Sequence, residues 1–165
     1  MGLLEPHGRG RRPFRRDALS ADRPAIIVYS LAHAAAALRA AVEVQRPVIL
    51  VSAPDAGIAA GPGWFRELIA AAREAVPGAQ SEAWLDCGDD AGAAQAAIRA
   101  AVEAVIFTGP EAVAASLADI AAQAGIGLVT ARPQHALDLA DRFFDPPGAL
   151  YARVAAYLSA GARCR

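Results

Sequence analysis

The sequence contains no lysine and no asparagine, so every positively charged side chain is an arginine. The absence of lysine excludes Schiff-base catalysis on a lysine and the phosphate-binding loop that depends on one. Only two cysteines occur, Cys87 and Cys164, and neither has the CxxC or cysteine–histidine spacing of a zinc site. A reducing, cytoplasmic compartment is the simpler expectation. No uncharged apolar run reaches the roughly 18 residues of a membrane span, so no membrane partner is expected.

The chain has 165 residues, which is one domain of ordinary size. Charge is uneven, since residues 1–16 hold five arginines against Glu5 alone, whereas the remainder is mildly acidic. We interpret residues 1–23 as a disordered basic leader and residues 24–165 as a single α/β domain. A basic leader could also contact nucleic acid or an anionic membrane, but the composition favours the disordered interpretation, and a nucleic-acid partner is not expected.

Five short apolar runs, each followed by a helical pattern, predict a five-stranded parallel sheet of βα repeats. The runs begin at residues 25, 48, 82, 104 and 127, and three of the four intervals are 22 or 23 residues. The longer interval contains the Gly-rich loop 54–63, which precedes a helix predicted over 64–76. Local sequence leaves two arrangements open, a half TIM-barrel-like sheet and an open, doubly wound flavodoxin-like sheet.

The pattern weakens after the fifth strand. We predict extra C-terminal helices over 134–144 and 149–160, separated by Asp145-Pro146-Pro147-Gly148, and no sixth strand. The last helix carries an apolar stripe that includes Leu150 and Leu158. A five-stranded sheet leaves two unpaired edges, and a half barrel also leaves an uncovered apolar face. The last helix could cover its own sheet, but we expect a homo-oligomer or a partner protein.

The stretch 84–110 resembles a family, the class II (metal-dependent) fructose-bisphosphate and tagatose-bisphosphate aldolases, which are βα barrels. In that family a strand reads roughly His-Leu-Asp-His-Gly-Asp, and the stretch here reads Trp-Leu-Asp-Cys-Gly-Asp. Residues 26–52 are similar to the family's opening strand, helix and Pro-Val-Ile-Leu strand. The likeness covers about residues 25–133, which corresponds to the N-terminal half of the barrel.

The resemblance implies that Asp86 matches the family's general acid or base. It also places Cys87 where the family has a metal-binding His, so the metal site is degenerate. The family's Asn and Asp at the ends of the first and fourth strands are replaced by Tyr29, Ser30 and Thr108. The remaining metal and phosphate ligands belong to a second half of the barrel, which this chain is too short to contain. The resemblance therefore implies ancestry and fold more strongly than activity.

Polar residues at the predicted strand ends are the candidate site. Asp86 is the candidate catalytic residue, Cys87 the candidate metal ligand, and the candidate ligand-binding residues are Asp55, Thr108 and Arg132. The favoured hypothesis is a non-catalytic aldolase-like domain, a pseudoenzyme without a cofactor, that acts by binding or assembly. The alternatives are a small metal-dependent lyase that uses Asp86, with zinc as cofactor, and a regulatory module that binds a small-molecule ligand.

Overall fold

The computed structural model describes residues 23–160, so the rest of the predicted leader and Cys164 lie outside the described part. The strands are β1 (Ala25–Val28), β2 (Val48–Ser52), β3 (Ser81–Asp86), β4 (Ala104–Ile106), β5 (Gly127–Val129) and β6 (Leu137–Asp138). The helices are α1 (Leu31–Glu43), α2 (Ala56–Ala59), α3 (Gly61–Ala75), α4 (Ala91–Arg99), α5 (Glu111–Gln123) and α6 (Pro147–Ala160). Among these helices none has both the length and the apolar character needed to cross a membrane.

The six strands form one open parallel sheet in the order β5-β4-β3-β2-β1-β6. Each of the first five strands therefore lies beside its neighbour in the chain. β2 is buried along its whole length, as expected for the apolar run that it contains. The predicted α/β class and parallel sheet are confirmed, but the sheet has six strands rather than five.

The large helices lie on one face of this sheet in the row α5, α4, α3, α1, α6. Alternate strand residues such as Leu50, Leu85 and Phe107 form a continuous core with this helix layer. A sequential strand order with right-handed crossovers puts every helix on the same side, as in part of a βα barrel. A doubly wound sheet has helices on both sides, so the flavodoxin-like alternative does not describe this chain.

The opposite side of the sheet, the helix-free face, carries a second apolar cluster of buried residues. Its members are Ala25, Ile49, Val51, Trp84, Ala104 and Ile106. The crossover from β5 to β6, residues 130–136, returns across the sheet on this side, and Ala136 packs against the cluster. Seven linking residues span at most about 28 Å, whereas five strand spacings already require about 24 Å. The crossover is therefore too short to pass around the helix layer.

The segment predicted as a helix over 134–144 is different in structure, and this prediction was wrong. It contains β6, which pairs with Ile26 and Ile27 of β1, followed by a 3₁₀ turn at Ala140–Arg142. Leu137 and Leu139 are buried while Asp138 is exposed. That alternation has a period of two, which is typical of a strand, but two residues are too few to reveal it in the sequence.

The predicted Gly-rich loop 54–63 is also more ordered than expected. α2 occupies its middle, and α3 begins at Gly61 rather than at Trp64. The close approach of α2 to β3 depends on Gly57, because a Cβ there would collide with the Cys87 sulfur atom. The loop therefore folds tightly over the end of β3.

The C-terminal helix packs on its own chain. α6 lies against α1, and its apolar stripe, Leu150, Val154 and Leu158, is buried. The Tyr157 hydroxyl lies 2.8 Å from the His135 carbonyl oxygen and 3.2 Å from that of Ala25, and its single hydrogen can be donated to either, which ties α6 to the crossover and to β1. α6 thus covers the helical side of β1 and β6, and its position leaves the expectation of self-association untested.

Candidate functional site

The carboxyl edge of the sheet brings together three of the residues predicted as a site. Asp86 ends β3, Asp55 follows β2 and begins α2, and Arg132 lies in the crossover after β5. Parallel strands place their carboxyl ends at one edge, which is why residues distant in sequence meet there. Their side chains form one hydrogen-bonded ion group, which we call the edge triad.

Asp86 lies at the centre of the edge triad and is 1 % exposed. Its Oδ1 accepts hydrogen bonds from the backbone N–H groups of Gly88 at 2.9 Å and Asp55 at 3.1 Å. Arg132 donates to Oδ2 from Nε at 2.6 Å and to Oδ1 from Nη2 at 3.0 Å. Both carboxylate oxygens therefore already have strong donors, and the charge is neutralised by the guanidinium.

Arg132 also bridges the two acids, because its Nη2 donates to Asp55 Oδ1 at 2.8 Å. The hydrogen bond from Arg132 to Asp86 is the largest cause that raises the pKa of Arg132 above its ordinary value. The Arg132 side chain remains 44 % exposed and that of Asp55 58 % exposed, so solvent reaches the outer part of the triad. Asp55 has a left-handed backbone (φ 58°), a conformation that Asp tolerates better than most residues.

Cys87 follows Asp86 directly but faces the other way, into the core between sheet and helices. It is fully buried and its thiol is free. Burial raises the pKa of Cys87 to about 12, and the neighbouring Asp86 and Asp90 add to the effect. The side chain is therefore an uncharged thiol at neutral pH, whereas metal binding and nucleophilic attack require the thiolate.

Thr108 lies at the same edge, but its side chain is outside the triad. Its backbone N–H donates to the Gly88 carbonyl at 2.7 Å, which joins the ends of β4 and β3, and its side chain is exposed. The structure thus brings Asp55, Asp86 and Arg132 into contact, and it places Thr108 and Cys87 beside them in different surroundings.

Two features of the edge were not predicted. Ser52, buried at the end of β2, accepts a hydrogen bond from the Asp86 backbone N–H at 2.9 Å. Tyr29 follows the end of β1; burial is the main cause that raises the pKa of Tyr29 to about 12, and Asp138 at the end of β6 adds to the effect. Ser52 could have been identified from the sequence, because it is a hydroxyl residue at the end of an apolar run. Asp138 could not be assigned to this edge before β6 was known.

The residues at this edge do not fit a zinc ion. Asp86 is occupied by Arg132, Cys87 faces the core, and residues 23–160 contain no group of three or more His, Cys, Asp and Glu placed to hold a metal. Catalytic zinc sites usually have three protein ligands.

Among solved structures, the chain is similar to a proposed fructose-1,6-biphosphate aldolase from Coccidioides immitis. The match has a TM-score of 0.54 and 21 % sequence identity, and it covers 64 % of this chain and 44 % of that one. No family model matches the chain, and no curated protein matches it. At this identity the likeness shows the fold, so the chain is an aldolase-like α/β domain that spans less than half of the aldolase's length.

Proposed function

We propose that this aldolase-like domain is non-catalytic and acts by binding or assembly. The observation that carries the proposal is the ion pair between Asp86 and Arg132. A general acid or base must exchange a proton with a substrate, and the site must leave one of its oxygens free to do so. Neither oxygen of Asp86 is free in this way, because both accept from Arg132 and the residue is 1 % exposed. The carboxylate is used to hold the crossover in place.

Assembly is supported by the sheet itself. Among the described strands, β5 pairs only with β4 and β6 pairs only with β1, so the sheet has two unpaired edges. Exposed strand edges are surfaces at which other chains add, unless they are blocked. β5 is flanked by α5, where Ile120 is 43 % exposed. We therefore expect a homo-oligomer or a partner protein at this edge, in a reducing, cytoplasmic setting that suits the free thiol of Cys87.

A small-ligand module is the second candidate, and one observation favours it. In the described part of the chain, Arg132 Nη1 carries no hydrogen bond, although Nε and Nη2 do. A guanidinium group whose side chain is 44 % exposed, at the same edge of the sheet as Thr108, could hold a carboxylate or phosphate group. Binding of inorganic phosphate measured by calorimetry, and its loss in Arg132→Gln, would favour this candidate.

The decisive test is an aldol-cleavage assay on fructose 1,6-bisphosphate, with and without added Zn²⁺. We expect no turnover above the rate of buffer alone, because Asp86 is held by Arg132. Arg132→Ala, which releases the carboxylate, is the matched variant, and it should also be inactive because the described residues contain no group placed to hold the metal that the family's reaction needs. A turnover that a chelator removes and Asp86→Ala abolishes would instead establish the metal-dependent lyase.

A further inference from the structure

The β5 edge of the sheet carries backbone groups that have no partner. The Gly127 N–H donates to the Glu103 carbonyl, and the Val129 carbonyl accepts from the Phe107 N–H, so both residues point their backbone groups at β4. Neighbouring residues of a strand point these groups in opposite directions. Leu128 therefore points its N–H and its C=O away from β4, and neither group has a hydrogen-bond partner among the described residues.

Charges, prolines and bulges, which block the edges of many natural sheets, are missing from this edge. Residues 124–131 contain no charged residue and no proline, and the register of β5 with β4 is continuous. Leu128 and Val129 are half-buried. Leu128 packs against the core on the helix side, and Val129 packs against the cluster on the helix-free face. The edge therefore offers both hydrogen-bonding groups and apolar contacts to an added strand.

The opposite edge of the described sheet, β6, is blocked by a charge. The Leu139 N–H donates to the Ile27 carbonyl, so the preceding residue, Asp138, occupies the outward position, and it is exposed. Two copies paired through β6 would bring two Asp138 carboxylates together, and like charges opposite each other destabilise a strand pair. Of these two edges β5 is therefore the one open to a strand. Pairing through a single edge closes after two copies and does not extend into a fibre.

We propose, building on the assembly proposed above, that β5 pairs in antiparallel orientation with β5 of a second copy, around a two-fold axis beside Leu128. Directly opposite residues of an antiparallel pair can exchange both N–H···O bonds. The Leu128 N–H of each copy thus donates to the Leu128 carbonyl of the other. A second copy is the partner that fits, because it carries the same unpaired donor and acceptor at the same spacing, and no charge that the contact would bury.

The helix beside this edge permits the contact. α5 lies on β5, and four of its exposed residues are alanines: Ala112, Ala115, Ala118 and Ala122. The two-fold axis is perpendicular to the sheet, so the two α5 helices lie on the same side, and small side chains allow their axes to approach to about 8–10 Å. A strand and a helix of 13 residues form an edge of roughly 20 Å by 20 Å, which is about 400 Å² per copy. Stable interfaces bury about 800 Å² per copy, so we expect a reversible dimer.

Sedimentation velocity of the full chain tests the proposal with a matched pair of variants. Leu128→Pro removes the outward N–H and leaves the bonds to β4 in place, since proline is tolerated where the N–H of an edge strand faces solvent. Each dimer then loses two hydrogen bonds, so its dissociation constant should rise roughly tenfold or more. Leu128→Val keeps the N–H and an apolar side chain, so its dissociation constant should stay close to that of wild type. Circular dichroism checks that both variants are folded.

Hydrogen exchange of wild type gives a second measurement that needs no variant. Exchange of the Leu128 amide hydrogen should become roughly tenfold slower between about 10 μM and about 1 mM protein, because mass action fills the dimer. The Asp138 amide hydrogen, at the blocked edge, should show no such dependence. A dimer that leaves Leu128 exchange unchanged, or that survives Leu128→Pro, would overturn the β5 pairing while assembly through another surface stands. A wild type that stays monomeric at about 1 mM would overturn both, and a mass above two copies would overturn the closed pair.

Discussion

Asp86 and Arg132 illustrate at the scale of single residues how a buried charge is tolerated. The Asp86 side chain is buried, and its carboxylate accepts hydrogen bonds from the guanidinium and from two backbone donors. Removing either partner leaves the other unpaired, and such losses typically cost about 3–5 kcal/mol. The pair should therefore behave as one energetic unit.

A double-mutant cycle tests this unit. We expect Asp86→Asn and Arg132→Ala each to lower the free energy of unfolding by about 2–4 kcal/mol. This loss is smaller than that for a fully buried pair, because solvent reaches the Arg132 side chain. The double variant should lose clearly less than the two single losses together, because the second substitution has no interaction left to remove. Urea denaturation of wild type, the two single variants and the double variant measures the four free energies of unfolding. Strict additivity would show that the two side chains are not coupled.

Glu82 gives a pH dependence with a definite sign. Burial raises its pKa above the ordinary value, although Trp84 and Arg23 oppose the effect. The folded chain therefore favours the protonated carboxyl, which contributes stability below the unfolded pKa of about 4.3 and loses it as pH rises through the folded value. We expect wild type to gain stability relative to Glu82→Gln as pH falls from 7 to 4.5.

Urea denaturation at the two pH values checks this expectation, with Glu67→Gln as the matched control because Glu67 is exposed. The control should show the same difference from wild type at both values. A wild-type advantage that grows with pH would mean that the ion pair with Arg23 outweighs the cost of burial.

The element scale shows which parts of the fold the sequence could predict. The first five strands and their helices were predicted because each contains a periodic apolar pattern, with stops such as Gly78 and Gly125 in left-handed conformations. β6 could not be predicted, because its two residues form a strand only through pairing with β1. Polar residues at the strand ends predicted that a site lies at the carboxyl edge of the sheet. The hydrogen bonds from Arg132 to Asp86 could not be predicted, because they depend on the path that the crossover takes across the sheet.

The contact of α2 with β3 gives a prediction at this scale. A Cβ added at Gly57 would collide with Cys87 Sγ and lie 3.1 Å from the Asp86 carbonyl oxygen. Gly57→Ala should therefore lower the free energy of unfolding by about 1–3 kcal/mol, as overpacking does. Adding Cys87→Ala should restore part of the loss, because it removes the sulfur. Thermal unfolding of both variants measures these changes. If Gly57→Ala loses no stability, α2 can move away from β3 to make room for the added Cβ.

At the scale of the whole molecule, assembly at the β5 edge can be tested with matched surface variants. Ile120 on α5 and Val42 on α1 are each 43 % exposed, and only α5 borders the unpaired β5 edge. Light scattering of wild type at tens of micromolar should give a mass above that of one chain. Ile120→Glu should shift it towards the monomer, while Val42→Glu should not. A monomeric wild type would contradict assembly.

The pairing of β6 with β1 also has a consequence for the order in which the molecule folds. Ile26 pairs with Leu137 and α6 packs on α1, so both contacts join residues that are more than 100 positions apart in the sequence. Contacts this distant in sequence carry the largest loop-closure entropy and form late. During synthesis, β1 through β5 can assemble while the outer side of β1 and the surface of α1 remain uncovered until residues 137–160 have left the ribosome. The nascent chain is therefore most prone to aggregation in the interval between the emergence of β5 and that of α6.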